Sequence, residues 1–168
     1  MKRRATGRRL VCAIVGCKAD SRRYSVAVAR EAYAVGALAA KHGFVVLTGG
    51  LSGVMERAAA GARAAGGLTI GLLPGRDHAD GNPSLEVVLP SGLGIARNCV
   101  VAAACDVMIA LPGGTGTLEE MCFASDYGRT IISYGSWRVP GAVRVPLGRR
   151  HDVAWALADY TRQKENDR

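Results

Sequence analysis

The chain has 168 residues, of which 49% are hydrophobic and 21% charged. That balance fits one folded domain with a full core and excludes a disordered chain. No uninterrupted apolar run approaches the roughly 20 residues of a membrane span. The formal net charge is +8, and its excess gathers at the ends: Lys2, Arg3, Arg4, Arg8 and Arg9 at one, Arg138, Arg144, Arg149 and Arg150 at the other.

Residues 1–9 read as a basic arm ahead of a domain over residues 10–168. Its composition suits a solvated terminus. No RNP-like aromatic motif or zinc-finger spacing accompanies it, so nucleic acid is not an expected partner. The arm runs at once into a strand, with no apolar h-region and no A-x-A cleavage site, which points to a cytoplasmic protein.

Residues 10–15 are a branched apolar run that predicts a first buried strand, closed by Gly16. The loop Gly16-Cys17-Lys18-Ala19-Asp20-Ser21 follows, with Asp20 or Ser21 placed to cap a helix. Val26, Ala29, Tyr33, Ala37 and Ala40 recur at three- and four-residue steps and predict that helix's apolar stripe; Gly43 ends it. Residues 44–47 predict a second strand. Thr48-Gly49-Gly50-Leu51-Ser52-Gly53 then turns the chain into an alanine-rich helix over 54–65, ended by Gly66-Gly67. Residues 68–73 predict a third strand, and 76–83 a polar surface excursion. Residues 85–89 predict a fourth strand, and 95–104 a helix with Arg97 and Asn98 near its start. Residues 106–111 predict a fifth strand running into Pro112-Gly113-Gly114-Thr115-Gly116-Thr117. A helix is expected over 118–127, with Glu119 and Glu120 in its first turn. Residues 130–133 predict a sixth strand, 135–141 break the pattern, and 152–160 predict a last helix.

Short apolar strands alternating with helices predict an α/β fold: a doubly wound, Rossmann-like parallel sheet in three layers, as a single domain. Ligands in such sheets bind beyond the carboxyl ends of the strands, near a reversal of strand order. The loops at Gly16 and Cys17, at Gly49, Gly50, Ser52 and Gly53, at 91–94 before Arg97 and Asn98, and at Gly113, Gly114, Thr115, Gly116 and Thr117 would all open on that edge. Glycines at a strand-to-helix turn leave backbone amides unobstructed, and a helix start adds about half a positive charge. Together they suit an anion, most often a phosphate. Adjacent Glu119 and Glu120 lie roughly 100° apart around a helix, so only one is expected to face a ligand.

Several chemistries lack their residues. There is no G-x-x-x-x-G-K-[ST] loop for triphosphate hydrolysis and no G-x-G-x-x-G after the first strand for a dinucleotide. His42, His78 and His151 are scattered, so no metal site is expected. The lysines are Lys2, Lys18, Lys41 and Lys164, none in a setting for pyridoxal phosphate. Of five cysteines, Cys12, Cys99, Cys105 and Cys122 lie in apolar surroundings, as reduced core cysteines do. Cys17, in its loop, is the one placed to line a pocket.

Pro112-Gly113-Gly114-Thr115-Gly116-Thr117-Leu118-Glu119-Glu120 matches the P-G-G-x-G-T-x-x-E motif, and over residues 11–133 the chain resembles the Lonely Guy (LOG), or "lysine decarboxylase-like", Rossmann superfamily. Thr48-Gly49-Gly50-Leu51-Ser52-Gly53-Val54-Met55 is similar to that superfamily's second glycine motif. Gly92-Leu93-Gly94-Ile95-Ala96-Arg97-Asn98 is closer to a short branch that includes the molybdenum cofactor carrier proteins. The resemblance implies a binding protein for a small phosphorylated, nucleotide-like ligand, with a bound molybdenum cofactor or nucleotide monophosphate and no required cofactor. It also implies a homodimer or homotetramer. The alternative it implies is a nucleoside 5′-monophosphate phosphoribohydrolase with Arg97 and Glu120 as the catalytic pair, not a lysine decarboxylase. The hydrolases usually carry Arg-Lys where this chain has Arg97-Asn98, which puts the carrier-like reading first.

Overall fold

The computed structural model describes residues 8–166. In chain order these form β1 (Val11–Val15), α1 (Val26–Lys41), β2 (Val45–Thr48), α2 (Val54–Ala64), β3 (Thr69–Leu73), β4 (Val87–Pro90), α3 (Arg97–Ala104), β5 (Val107–Ala110), α4 (Thr115–Asp126), β6 (Thr130–Tyr134), β7 (Val143–Val145) and α5 (Arg150–Asn166). Short 3-10 turns lie at His78–Asp80 and Gly94–Ala96. The sheet order is β4-β3-β2-β1-β5-β6-β7, and each pair is parallel.

Parallel strands need both faces covered. Alternation along β1 sends Cys12 and Ile14 to one face, where α1, α2 and α5 contribute Val35, Ala58 and Leu157. Ala13 and Val15 point to the other, against Val101 of α3 and Met121 of α4. This is the expected three-layer doubly wound domain. Strand order reverses between β2 and β5 on either side of β1, so the loops leaving β1 and β5 diverge there and open a crevice.

Several local expectations are corrected. In α1 the predicted stripe is not the buried face: Val26 is 86% exposed and Tyr33 36%, while Val28, Glu31, Ala32, Val35, Gly36 and Ala39 are buried. The reason is close helix packing. A Cβ built at Gly36 would lie 2.0 Å from the Ala58 carbonyl oxygen, and one at Gly61 would lie 1.9 Å from that of Tyr33. Small residues, not large apolar ones, mark the face where α1 meets α2. Ser25, rather than Asp20 or Ser21, caps α1 by accepting from the Val28 amide at 3.2 Å. Glu31 is buried where α1 meets α5 and β6, because Arg150 Nε (2.8 Å), Arg150 Nη2 (2.9 Å) and the Tyr134 hydroxyl (2.6 Å) donate to its carboxylate.

Helix α4 starts at Thr115, three residues earlier than expected, so Glu119 and Glu120 fall in its second turn and the first turn holds no acid. The 135–141 break leads to an unpredicted edge strand, β7. Cys122 is exposed and Cys99 half-buried, so two of the cysteines assigned to apolar surroundings stand at the margin of the core. Residues 1–7 of the basic arm lie outside the described residues. Arg8 folds back on Asp106, donating from Nη1 at 2.7 Å, and the Val11 amide donates to the same carboxylate at 2.8 Å. No described helix is long and apolar enough to cross a membrane.

Candidate functional site

A cleft of about 450 Å³ lies over the crevice, within the range of small-molecule sites. The β1–α1 loop supplies Gly16, Cys17, Lys18, Asp20 and Ser21 to its wall. The turn after β2 supplies Leu51, and α2 supplies Met55. Gly94 and Ile95 enter ahead of Arg97 and Asn98, and the loop after β5 closes the circle with Gly114, Thr115, Gly116 and Thr117, followed by Glu120. Four loops far apart in sequence thus share one cavity.

Gly49, Gly50, Ser52, Gly53 and Gly113 stand behind this wall rather than on it. Gly49 is the seat of Arg97: a Cβ there would lie 2.3 Å from Arg97 Nη1 and 2.8 Å from Met55 Sδ. Gly53 has a φ of +73°, and a Cβ would press on the Cys17 carbonyl oxygen at 2.5 Å and the Ala19 nitrogen at 2.6 Å. The Ser52 hydroxyl accepts from the Ala19 amide at 3.3 Å. Asn82, in the predicted surface excursion, is instead buried, and its side-chain amide donates to the carbonyls of Gly50 (3.1 Å) and Leu51 (2.9 Å). Cys17 ties the loops together. Its amide donates to the Pro112 carbonyl and its own carbonyl accepts from the Val54 amide, both at 3.0 Å. Burial pushes its thiol up, away from the thiolate a nucleophile needs.

The loop after β5 is built differently. Cβ atoms at Gly114 would meet nothing within 4 Å, and one at Gly116 would meet only Asn98 Nδ2 at 3.6 Å. Gly114 starts α4 without a side-chain cap. The first amides of a helix have no partner within it, and here they border the cleft.

Arg97 and Glu120 are both buried at 7% and 6% exposure. Arg97 Nη1 is 3.6 Å from Glu120 Oε1, close enough for charge attraction but beyond a hydrogen bond. Burial pushes the Glu120 carboxyl up to about 7, with Arg97 pulling down and Glu119 adding to the rise. Burial likewise lowers the Arg97 guanidinium, opposed by Glu120. Arg97 Nε is buried and has no hydrogen-bond partner. Arg97 lines the same cleft as Gly114, Thr115 and Gly116, so a guanidinium and the first amides of α4 border one cavity. Glu119 accepts from Asn98 Nδ2 at 3.1 Å, and of the two acids Glu120 is the one that lines the cleft. No group of three His, Cys, Asp or Glu among the described residues is arranged to hold a metal.

One residue near the site went unread in the sequence. Trp137, in the β6–β7 connection, donates from Nε1 to the carbonyls of Gly113 at 2.9 Å and Gly114 at 3.1 Å. Its only sequence signal is a tryptophan shortly after a strand's carboxyl end, on the edge where the cleft loops gather.

Fold and cleft together define a Rossmann-like α/β domain with a cleft at the strand-order reversal. The chain belongs to the SLOG cluster4 family, whose model matches residues 9–156. It is similar to the molybdenum cofactor binding protein of Rippkaea orientalis, at 31% identity and a TM-score of 0.71 over 90% of this chain and 86% of that one. It is also similar to the molybdenum cofactor carrier protein of Chlamydomonas reinhardtii, at 29% identity and a TM-score of 0.78 over 92% and 98%. A protein of Archaeoglobus fulgidus is 38% identical over 104 residues, 62% of this chain and 68% of that one.

Proposed function

We propose that this chain binds a phosphorylated, nucleotide-like ligand in the cleft, in the manner of a molybdenum cofactor carrier. The observation that carries the reading is the pairing, in one cleft, of an open, uncapped α4 start at Gly114 with the buried Arg97. A phosphate between them receives backbone amides from one side and a guanidinium from the other. Lys18, at the rim, adds a second positive charge. Leu51, Met55 and Ile95 offer apolar surface for a planar ring. The carrier form is supported by the two cofactor-binding neighbours, which match across most of both chains.

The test is capture. Molybdenum cofactor released anaerobically from a molybdoenzyme is mixed with the chain and passed through gel filtration. Pterin and molybdenum are expected to elute with the protein at about one equivalent, as for a single built site. Elution of both with the small-molecule fraction overturns the carrier reading.

One observation favours a second reading. Glu120 titrates near 7 and faces both the cleft and Arg97, which suits acid–base assistance to loss of a base from a nucleoside 5′-monophosphate. Incubation with AMP and with cytokinin riboside monophosphates, followed by chromatography for free base, decides it. Release of base that disappears in Glu120→Gln and Arg97→Ala supports phosphoribohydrolase activity; no release leaves the carrier.

A further inference from the structure

We propose that Trp137 sets the working geometry of the anion loop: its indole N–H holds two loop carbonyls on one side and thereby aims the next two amides into the cleft. The consequence for binding rests on the phosphate reading above; the geometry does not.

The peptide group is planar and trans, so a carbonyl and the N–H of the following residue point in opposite directions. The described residues contain no cis peptide bond. Trp137 Nε1 donates to the Gly113 carbonyl, which turns the Gly114 amide away from the indole. It also donates to the Gly114 carbonyl, which turns the Thr115 amide away in the same sense. Gly114 and Thr115 line the cleft, whereas Trp137 lines a separate hollow of about 290 Å³ with Arg23, Pro112 and Gly113. Away from the indole is therefore toward the cleft.

This control is needed because two successive glycines have little steric preference of their own. Gly113 is confined by the Thr117 side chain, but Gly114 has open space around its Cα. The Gly114 carbonyl also accepts the first α4 bond, from the Leu118 amide at 3.2 Å, which adds to the restraint of the shared indole bond. The indole is itself fixed. The Ser133 hydroxyl donates to the Trp137 carbonyl at 2.7 Å, and the Arg23 guanidinium lies 5.9 Å from the ring centroid. Arg23 belongs to the β1–α1 connection that carries Lys18, Asp20 and Ser21 to the cleft. One side chain thus links the ends of β1, β5 and β6.

The test compares wild type with Trp137→Phe, which keeps an aromatic ring and removes the donor. If that variant does not fold, β-(3-benzothienyl)alanine at position 137 keeps the bicyclic shape and replaces N–H with sulfur. Amide order parameters are measured first, without ligand. Those of Gly114 and Thr115 are expected to fall from the rigid range of about 0.85 to below about 0.6, with the remaining helices unchanged. AMP affinity is then measured by calorimetry and is expected to weaken about tenfold, in line with loss of a preorganised hydrogen-bonding surface. Unchanged order parameters overturn the proposal whatever the affinity. An unchanged affinity, where wild type binds AMP, overturns the binding consequence. Failure of wild type to bind AMP counts against the ligand reading instead, and the order parameters alone then decide the role of Trp137.

Discussion

Thr48-Gly49-Gly50-Leu51-Ser52-Gly53 and Pro112-Gly113-Gly114-Thr115-Gly116-Thr117 leave the two strands that flank β1, and each opens a helix with no side-chain cap. In the first turn, the glycines are enclosed by protein. Gly49 receives Arg97, Gly50 lies against Leu73, and Gly53 passes under the backbone at Cys17 and Ala19. In the second, only Gly113 is enclosed, while Gly114 and Gly116 face the cleft. The same composition therefore has two physical causes. The first turn is glycine where other parts of the chain come close; the second leaves open space around Gly114 and Gly116 beside the cleft. Arg97 joins them, resting on Gly49 and facing Glu120 of α4.

The largest expected effect falls on the enclosed turn. Gly53→Ala places a methyl against fixed backbone at a φ of +73°, so neither a side-chain rotation nor a small φ change relieves it. Strain at such a φ and overpacking each cost about 1–3 kcal/mol, and together they are expected to lower the unfolding free energy by about 3–5 kcal/mol in chemical denaturation. A loss below about 1 kcal/mol, the range of an ordinary surface change, would show that the turn can move and that the contrast is overstated.

Glu120→Gln comes next, because it removes a buried acid from between the two turns. Its carboxyl titrates at about 7 in the fold against an ordinary 4.5. Between those values the unfolded chain has released the proton and the native protein still holds it. Stability therefore falls as pH rises through that window and levels off above it. The variant is expected to lose this slope and, at pH 8, to gain about 2–3 kcal/mol over wild type. Denaturation curves from pH 4 to pH 8 check it; parallel profiles for the two proteins would assign Glu120 an ordinary carboxyl.

A smaller effect measures the link itself. Gly49→Ala meets the ends of flexible side chains, Arg97 Nη1 and Met55 Sδ, which can give way. It is expected to cost about 1–2 kcal/mol alone and about 1 kcal/mol less when Arg97 is already alanine, a coupling typical of residues in contact. A double-mutant cycle that closes to zero would separate Gly49 from Arg97.

The sequence distinguishes these cases only in part. The parallel sheet, its three layers and the gathering of four loops at one edge follow from apolar runs broken by glycine, and these are strong local signals; the strand order is set by the packing of the elements and is read from the fold. The start of α4 does not, because Thr115-Gly116-Thr117 has the composition of a loop; it is nonetheless helical, which places Glu120 in the second turn. The α1 face does not, because in an alanine-rich helix the contact is made by Gly36 against Ala58, and no hydrophobic stripe records a close backbone approach. β7 is three residues long, too short for alternation to register. Trp137 reaches the site across 23 and 24 residues through its indole nitrogen, a contact without sequence periodicity.

The open turn supplies the smallest stability change and the sharpest contrast with Gly53. A methyl at Gly114 meets no atom within 4 Å, and its φ of −85° is accessible to any residue. Gly114→Ala is therefore expected to shift the unfolding free energy by no more than about 0.5 kcal/mol. The same methyl projects beside the first amides of α4, where a bound phosphate would lie, and desolvates them without offering a hydrogen bond. Affinity for a phosphorylated probe such as AMP is expected to fall at least tenfold, about 1.4 kcal/mol. Calorimetric titration alongside denaturation reads both quantities on one sample. An enclosed glycine loses stability on gaining a methyl, whereas a ligand-facing glycine keeps stability and loses affinity. If Gly114→Ala unfolds the chain as Gly53→Ala does, or binds AMP as wild type does, the two turns are not different in kind.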